Sequence, residues 1–131
     1  MTTHGQLHHV ELWVADLAAT RASLGWLLTE LGYDVFQEFS AGVSWRLGDT
    51  YIVAEQSSAL VPGAHDRLRA GLNHLAFHVE SRAEVDRLTT ESAAHGWQLM
   101  FADRHPYAGG PDYYAAYLED DQGFEVELVA A

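Results

Sequence analysis

The feature that most constrains this chain is a repeat of its opening near its middle. Residues 7–14, LHHVELWV, match residues 72–79, LNHLAFHV, at an offset of 65. Leu31-Gly32-Tyr33 matches His95-Gly96-Trp97 at an offset of 64. Two matches at nearly one offset mark a diverged duplication. A unit of this length that occurs twice is too long for a solenoid repeat, so it implies a pseudo-two-fold domain. The 131 residues suit one domain or two tightly packed half-domains, and 48% hydrophobic content is enough for a core.

Each half reads as βαβββ. In the first (7–55), the alternation of 7–14 predicts a strand, and Asp16 is placed to cap a helix. Leu24, Leu27, Leu28 and Leu31 share one face of that helix, and Gly32 ends it. Strands are expected over 33–39, 42–48 and 50–55, with turns at Ala41-Gly42 and Gly48-Asp49. Residues 56–71 read as a connector, with a short helical piece around 64–70. In the second half (72–129), strand 72–79 precedes a helix opened by a Ser81/Glu84 capping box and closed at Gly96. Strands over 97–101, 113–118 and 124–129 follow, the first two separated by the turn-rich 104–112. The fold class is α+β: two tandem βαβββ modules forming one domain over 1–131.

Side chains alternate across a strand. One face of 7–14 therefore carries Val10, Leu12 and Val14 and packs on the helices. The other carries His9, Glu11 and Trp13. The same alternation groups His74, Ala76 and His78; Tyr51, Val53 and Glu55; and Glu125, Glu127 and Val129. A half-exposed sheet with one polar face is ordinary. Here, however, His9 and His74 occupy equivalent places in the repeat. Glu55 and Glu127 each lie near the end of the last strand of their half. A two-fold operation maps one His/Glu pair on the other, and imidazole plus carboxylate donors suit a divalent ion with positions left open for substrate.

Charge and composition exclude other classes. Nineteen acidic residues against seven basic ones give a net charge of −12, which disfavours nucleic acid and anionic membrane as partners. The absence of cysteine excludes disulfides and thiolate metal sites. No apolar run is long enough to span a bilayer and the N-terminus lacks a signal-peptide layout, so the expected location is cytoplasmic.

LHHVELWVADL, GLNHLAFHV and EDDQGFEVELV resemble the signature strands of the vicinal oxygen chelate superfamily, over almost the whole chain. That group includes glyoxalase I, extradiol dioxygenases, fosfomycin-resistance enzymes and bleomycin-binding proteins. The resemblance implies that the two modules form a cupped sheet around one metal site, held by His9, Glu55, His74 and Glu127, the His₂Glu₂ set of the glyoxalase I branch. His8, one residue out of register, ranks below His9. The implied ion is Ni, Co, Mn, Fe or Zn, and the implied assembly is a homodimer.

The expected activity is that of a metal-dependent lyase or isomerase, acting on a small molecule with vicinal oxygens through an enolate-type intermediate. Glu55 or Glu127 would serve as base, with Glu11 a second candidate. Leu12 or Trp13 stands where glyoxalase I carries an arginine for glutathione, and Gln56-Ser57-Ser58-Ala59 lacks the expected asparagine, which argues against a glutathione adduct. Trp13, Trp45, Tyr51, His78, His105, Tyr107, Tyr113, Tyr114 and Tyr117 are candidates to line a substrate pocket, about half of the aromatics being packing instead. His105, Tyr107 and loop 108–112 are a candidate lid. Two other readings stand beside this one: an iron-dependent ring-cleaving dioxygenase using His9, His74 and Glu127, and a metal-free antibiotic-binding resistance protein.

Overall fold

The computed structural model describes residues 3–131, which form two compact units, 1–63 and 64–131. The first unit runs β1 (His9–Trp13), α1 (Leu17–Thr20), a π-helical segment (Arg21–Gly25), α2 (Trp26–Glu30), β2 (Asp34–Phe39), β3 (Gly42–Leu47) and β4 (Thr50–Glu55). The second runs β5 (Leu75–Val79), α3 (Arg82–Ser92), a 3₁₀ turn (Ala93–His95), β6 (Trp97–Leu99), β7 (Ala115–Asp120) and β8 (Glu125–Ala130). Each unit has its own mixed four-stranded sheet, ordered β1-β4-β3-β2 and β5-β8-β7-β6. The duplication is therefore present in the topology, as two sheets where the resemblance implied one cupped sheet. Among the described residues, no helix is long and apolar enough to cross a membrane.

The helix starts where the sequence places it, with the Asp16 side chain accepting the Ala19 N–H at 3.0 Å. It ends at Gly32, whose φ of +96° only glycine adopts without strain. Its middle is not regular α-helix. Thr20, Ser23 and Thr29 hydroxyls donate to carbonyls four residues back, at Asp16, Ala19 and Gly25, a pattern that bends helices. Gly25 lies against the Trp45 indole, so close that a Cβ there would stand 3.1 Å from Trp45 Cζ2. Leu24, Leu27 and Leu28 are buried with Leu12, Val14, Ile52, Ala54 and Trp45, which makes Trp45 core rather than pocket.

In the second unit Ser81 caps α3 by accepting the Glu84 N–H at 3.1 Å. The reciprocal half of the expected capping box is not made. The Glu84 carboxylate instead takes Arg87, which also reaches Glu91 at 2.6 Å. Val85 and Leu88 face a sheet whose inner residues include Val79, Ala116, Leu118, Val126 and Leu128, all buried. The helical piece expected around 64–70 is absent. Those residues form turns, held by Asp66, which accepts the Leu68 N–H through its side chain and the Arg69 N–H through its carbonyl. An aspartate that bonds its own following backbone competes with helix formation.

Candidate functional site

In the second unit, β5 and β8 pair in parallel with Leu75 opposite Val126 and Ala76 opposite Glu127. His74 precedes β5 by one residue, so its ring extends over Glu127. His74 Nε2 lies 3.1 Å from Glu127 Oε1, and Glu127 is only 5% exposed. On the far side of the imidazole, Nδ1 lies 2.6 Å from Asn73 Oδ1. The Asn73 amide is oriented by its Nδ2, which donates to the Arg67 carbonyl at 3.1 Å. Asn73 Oδ1 is thus an acceptor, and His74 Nδ1 carries the hydrogen it accepts. In the neutral ring Nε2 is then a lone pair facing a carboxylate oxygen. Two acceptors hold that separation when a cation stands between them, either a proton or a metal ion.

Two donors at this separation could share a divalent ion, since cis ligands with bonds of about 2.1 Å stand about 3 Å apart, and Asn73 supplies an acceptor for the remote N–H, as carboxylates, carbonyls and waters do for metal-bound histidines. Glu127 Oε2 accepts a short hydrogen bond from the Tyr113 hydroxyl. That bond, more than the partial burial of the ring, pushes the Tyr113 phenol up to about 12. Burial, then the Glu127 charge, raise Tyr117 as well. Both tyrosines crowd Gly109, where a Cβ would stand 2.5 Å from Tyr113 Cδ1 and 2.6 Å from the Tyr117 hydroxyl.

A phenol raised in the folded state stabilises the fold fully below its unfolded pKa of about 10. That contribution is lost as pH rises through the folded value of about 12. Subtracting the phenolate absorbance titration of Tyr113→Phe from that of the native chain should therefore leave one phenol centred well above the ordinary range. A difference curve centred at the ordinary tyrosine value would show that Tyr113 does not hold Glu127.

Glu125 and Arg67 are functional neighbours that the sequence reading missed. Glu125 is 6% exposed on the face that carries Glu127, with Arg67 Nε at 3.5 Å. Burial raises its carboxyl, against the pull of His74 and Arg67. Alternation had grouped Glu125 with Glu127; nothing in it reported that a connector arginine would reach back.

In the first unit the expected His9/Glu55 pair is not brought together. The parallel register of β1 and β4 sets His9 opposite Tyr51, Glu11 opposite Val53 and Trp13 opposite Glu55. Glu55 lies four residues along the sheet from His9, about 13 Å at strand rise. Glu127 lies opposite the residue two beyond His74, and the residue opposite Glu11, two beyond His9, is Val53. The first half has a valine where the second has its carboxylate. His9 stacks on Tyr51 with ring centroids 4.8 Å apart, and its Nδ1 is 2.8 Å from Nδ1 of His8. His8, ranked out of register, meets the same ring edge-on at 5.3 Å. Glu11 accepts the Trp13 indole N–H at 2.7 Å.

Of the remaining pocket candidates, Tyr113 and Tyr117 join Glu127, whereas Tyr114 donates to Asp86 at 2.5 Å on α3. Tyr107 packs edge-on against Tyr114, with centroids 5.7 Å apart. His78 is exposed opposite Val129, and His105 is half-buried in the loop before β7. Among the described residues, no group of three or more His, Asp or Glu side chains converges as a metal cage. The geometry shows one supported pair, His74 and Glu127.

Residues 8–117 match the family model described as the glyoxalase/bleomycin resistance protein/dioxygenase superfamily. The chain is 48% identical over 126 residues to the uncharacterized protein YqjT of Bacillus subtilis (strain 168), covering 95% of this chain and 98% of that one. A Bacillus halodurans crystal structure, of a protein proposed to be a glyoxalase, is 46% identical, with a TM-score of 0.91 over 98% of this chain and 97% of the other. A lactoylglutathione lyase from Agrobacterium tumefaciens shares the fold at 18% identity, with a TM-score of 0.64 over 99% and 96%. The duplicated βαβββ topology, the paired His74 and Glu127 and these likenesses make the chain a member of the glyoxalase/bleomycin resistance protein/dioxygenase superfamily, the vicinal oxygen chelate group.

Proposed function

We propose that this chain is a glyoxalase-like lyase or isomerase that moves a proton on a small molecule bearing two neighbouring oxygens. The observation that carries the reading is the pair of facing acceptors, His74 Nε2 and Glu127 Oε1, 3.1 Å apart with Asn73 behind the histidine. Such a pair suits a divalent ion, which His74 and Glu127 would hold. When bound, that ion supplies a Lewis acid for the substrate's oxygens. Glu127 is the proton acceptor. Its Oε2 is held by Tyr113, so the carboxylate is oriented before substrate arrives. Tyr113 is a hydroxyl donor placed to return a proton or to hold an oxygen of the substrate.

A ring-cleaving dioxygenase is the second reading, and the register of β1 and β4 favours it. With Val53 in the place symmetric to Glu127 and Glu55 four residues along from His9, the first unit sets no carboxylate beside His9, and fewer protein ligands leave more positions open. Metal content separates the readings. Purified chain equilibrated in turn with Ni, Co, Mn, Fe and Zn should retain about one ion, and His74→Ala should lose it with circular dichroism unchanged. Full retention by His74→Ala would refute the site, and retention of iron alone, with oxygen uptake on a catechol, would move the assignment to the dioxygenase.

A further inference from the structure

The chain has seven basic residues, all arginine, among nineteen acidic ones, so carboxylates are abundant for each. Arg21, Arg67 and Arg69 each take one and Arg87 takes two. Arg82 and Arg104, which lie over Tyr114 and Phe101, take none among the described residues, and neither does Arg46. Its guanidinium lies over the Phe36 ring, 4.5 Å from the centroid. A guanidinium set against a ring rather than a carboxylate still offers the N–H fork that matches a carboxylate in two parallel hydrogen bonds.

Arg46 also borders a space. Arg46 and Phe36 line a cavity of about 520 Å³ together with His4, His8, Gln37 and Tyr51. Strand pairing builds it: Arg46 on β3 is opposite Tyr51 on β4, which is opposite His9 on β1. The Tyr51 ring is the hub, with Phe36 at 5.2 Å, His8 at 5.3 Å and His9 at 4.8 Å. Asp49 is the one carboxylate of the lining. The cavity has the size of a site for a small organic molecule, larger than a bare anion needs.

We infer that this cavity of the first unit is a binding site for a flat organic carboxylate, its acid group on the Arg46 guanidinium and its body against the Phe36 and Tyr51 rings. In a chain of net charge −12, an unmatched arginine is the local feature that lets an anion in. The inference does not rest on the activity proposed for His74 and Glu127, which belong to the other unit.

The test uses 2-naphthoate and its neutral isostere 2-naphthamide, titrated into the full-length ¹⁵N-labelled chain. Saturable shifts at the Arg46 side-chain Nε–H and the Tyr51 amide are expected with naphthoate, and binding of the amide at least tenfold weaker. Arg46→Gln should weaken naphthoate at least tenfold and leave the amide unchanged. Arg46→Lys, which keeps the charge but not the fork, should fall between. His74→Ala should bind naphthoate as the native chain does, which keeps this result separate from the metal experiment. Equal binding of acid and amide, shifts that do not saturate, or undiminished naphthoate binding by a folded Arg46→Gln would each overturn the site.

Discussion

Glu127→Gln should lower turnover of a vicinal-oxygen substrate by a factor of about 10² to 10⁴, the range supplied by a positioned base. The substitution keeps the shape of the side chain. A glutamine oxygen still accepts from Tyr113, and the buried position remains hydrogen-bonded. What it removes is the charge that accepts the proton and faces His74 Nε2. Because a buried charge is costly to hold, its loss should leave thermal stability little changed. The decisive measurement is solvent deuterium wash-in at the carbon beside the substrate carbonyl, together with a thermal melt. A loss of wash-in with an unshifted melt and undiminished metal content assigns the proton to Glu127. A loss smaller than tenfold would move the base elsewhere.

The fold was legible because its signals are local. Alternation placed β1, β3 and β4 to within two residues, Asp16 and Ser81 cap the helices they were expected to cap, and Gly32 and Gly96 take the positive φ that ends them. His74 and Glu127 were legible because the repeat places the histidine and alternation places the carboxylate on its face. The first-half carboxylate was not legible, for a physical reason. Parallel strands are joined by a long crossover, so no turn sets the register of β1 against β4, and a pattern of period two cannot separate Glu55 from a neighbour two residues away. Arg67 was missed because its role comes from a connector with no periodicity, and Asn73, expected in the strand over 72–79, because it lies in the loop before β5. The π-helical segment was hidden because Ser and Thr at helical spacing look like ordinary surface residues until their hydroxyls bond backward.

Gly123→Ala should cost about 2–4 kcal/mol, roughly 10 °C in melting temperature for a chain of this size, and should damage the site through the connector. Gly123 closes the β7–β8 turn at φ +90°, and a Cβ there would stand 2.2 Å from the His65 carbonyl oxygen. The obstacle is backbone, so no rotamer change relieves it. His65 is held to this turn in two further ways, its N–H donating to the Gln122 carbonyl at 3.1 Å and its ring stacked on Phe124 at 4.4 Å. Displacing His65 pulls on the segment that carries Arg67, which pairs with Glu125, and Asn73, which orients His74. Gly48→Ala is the matched control. Its φ is +60°, but its added Cβ meets nothing within 4 Å, so it should show the conformational cost alone, about 1 kcal/mol. The measurement is paired urea unfolding of both variants, with the His74 ring followed by NMR. A larger loss for Gly123→Ala, accompanied by a His74 shift that Gly48→Ala lacks, would show that this turn supports the His74–Glu127 pair. Equal losses would mean that the turn tolerates the methyl and that the connector is positioned by its own hydrogen bonds.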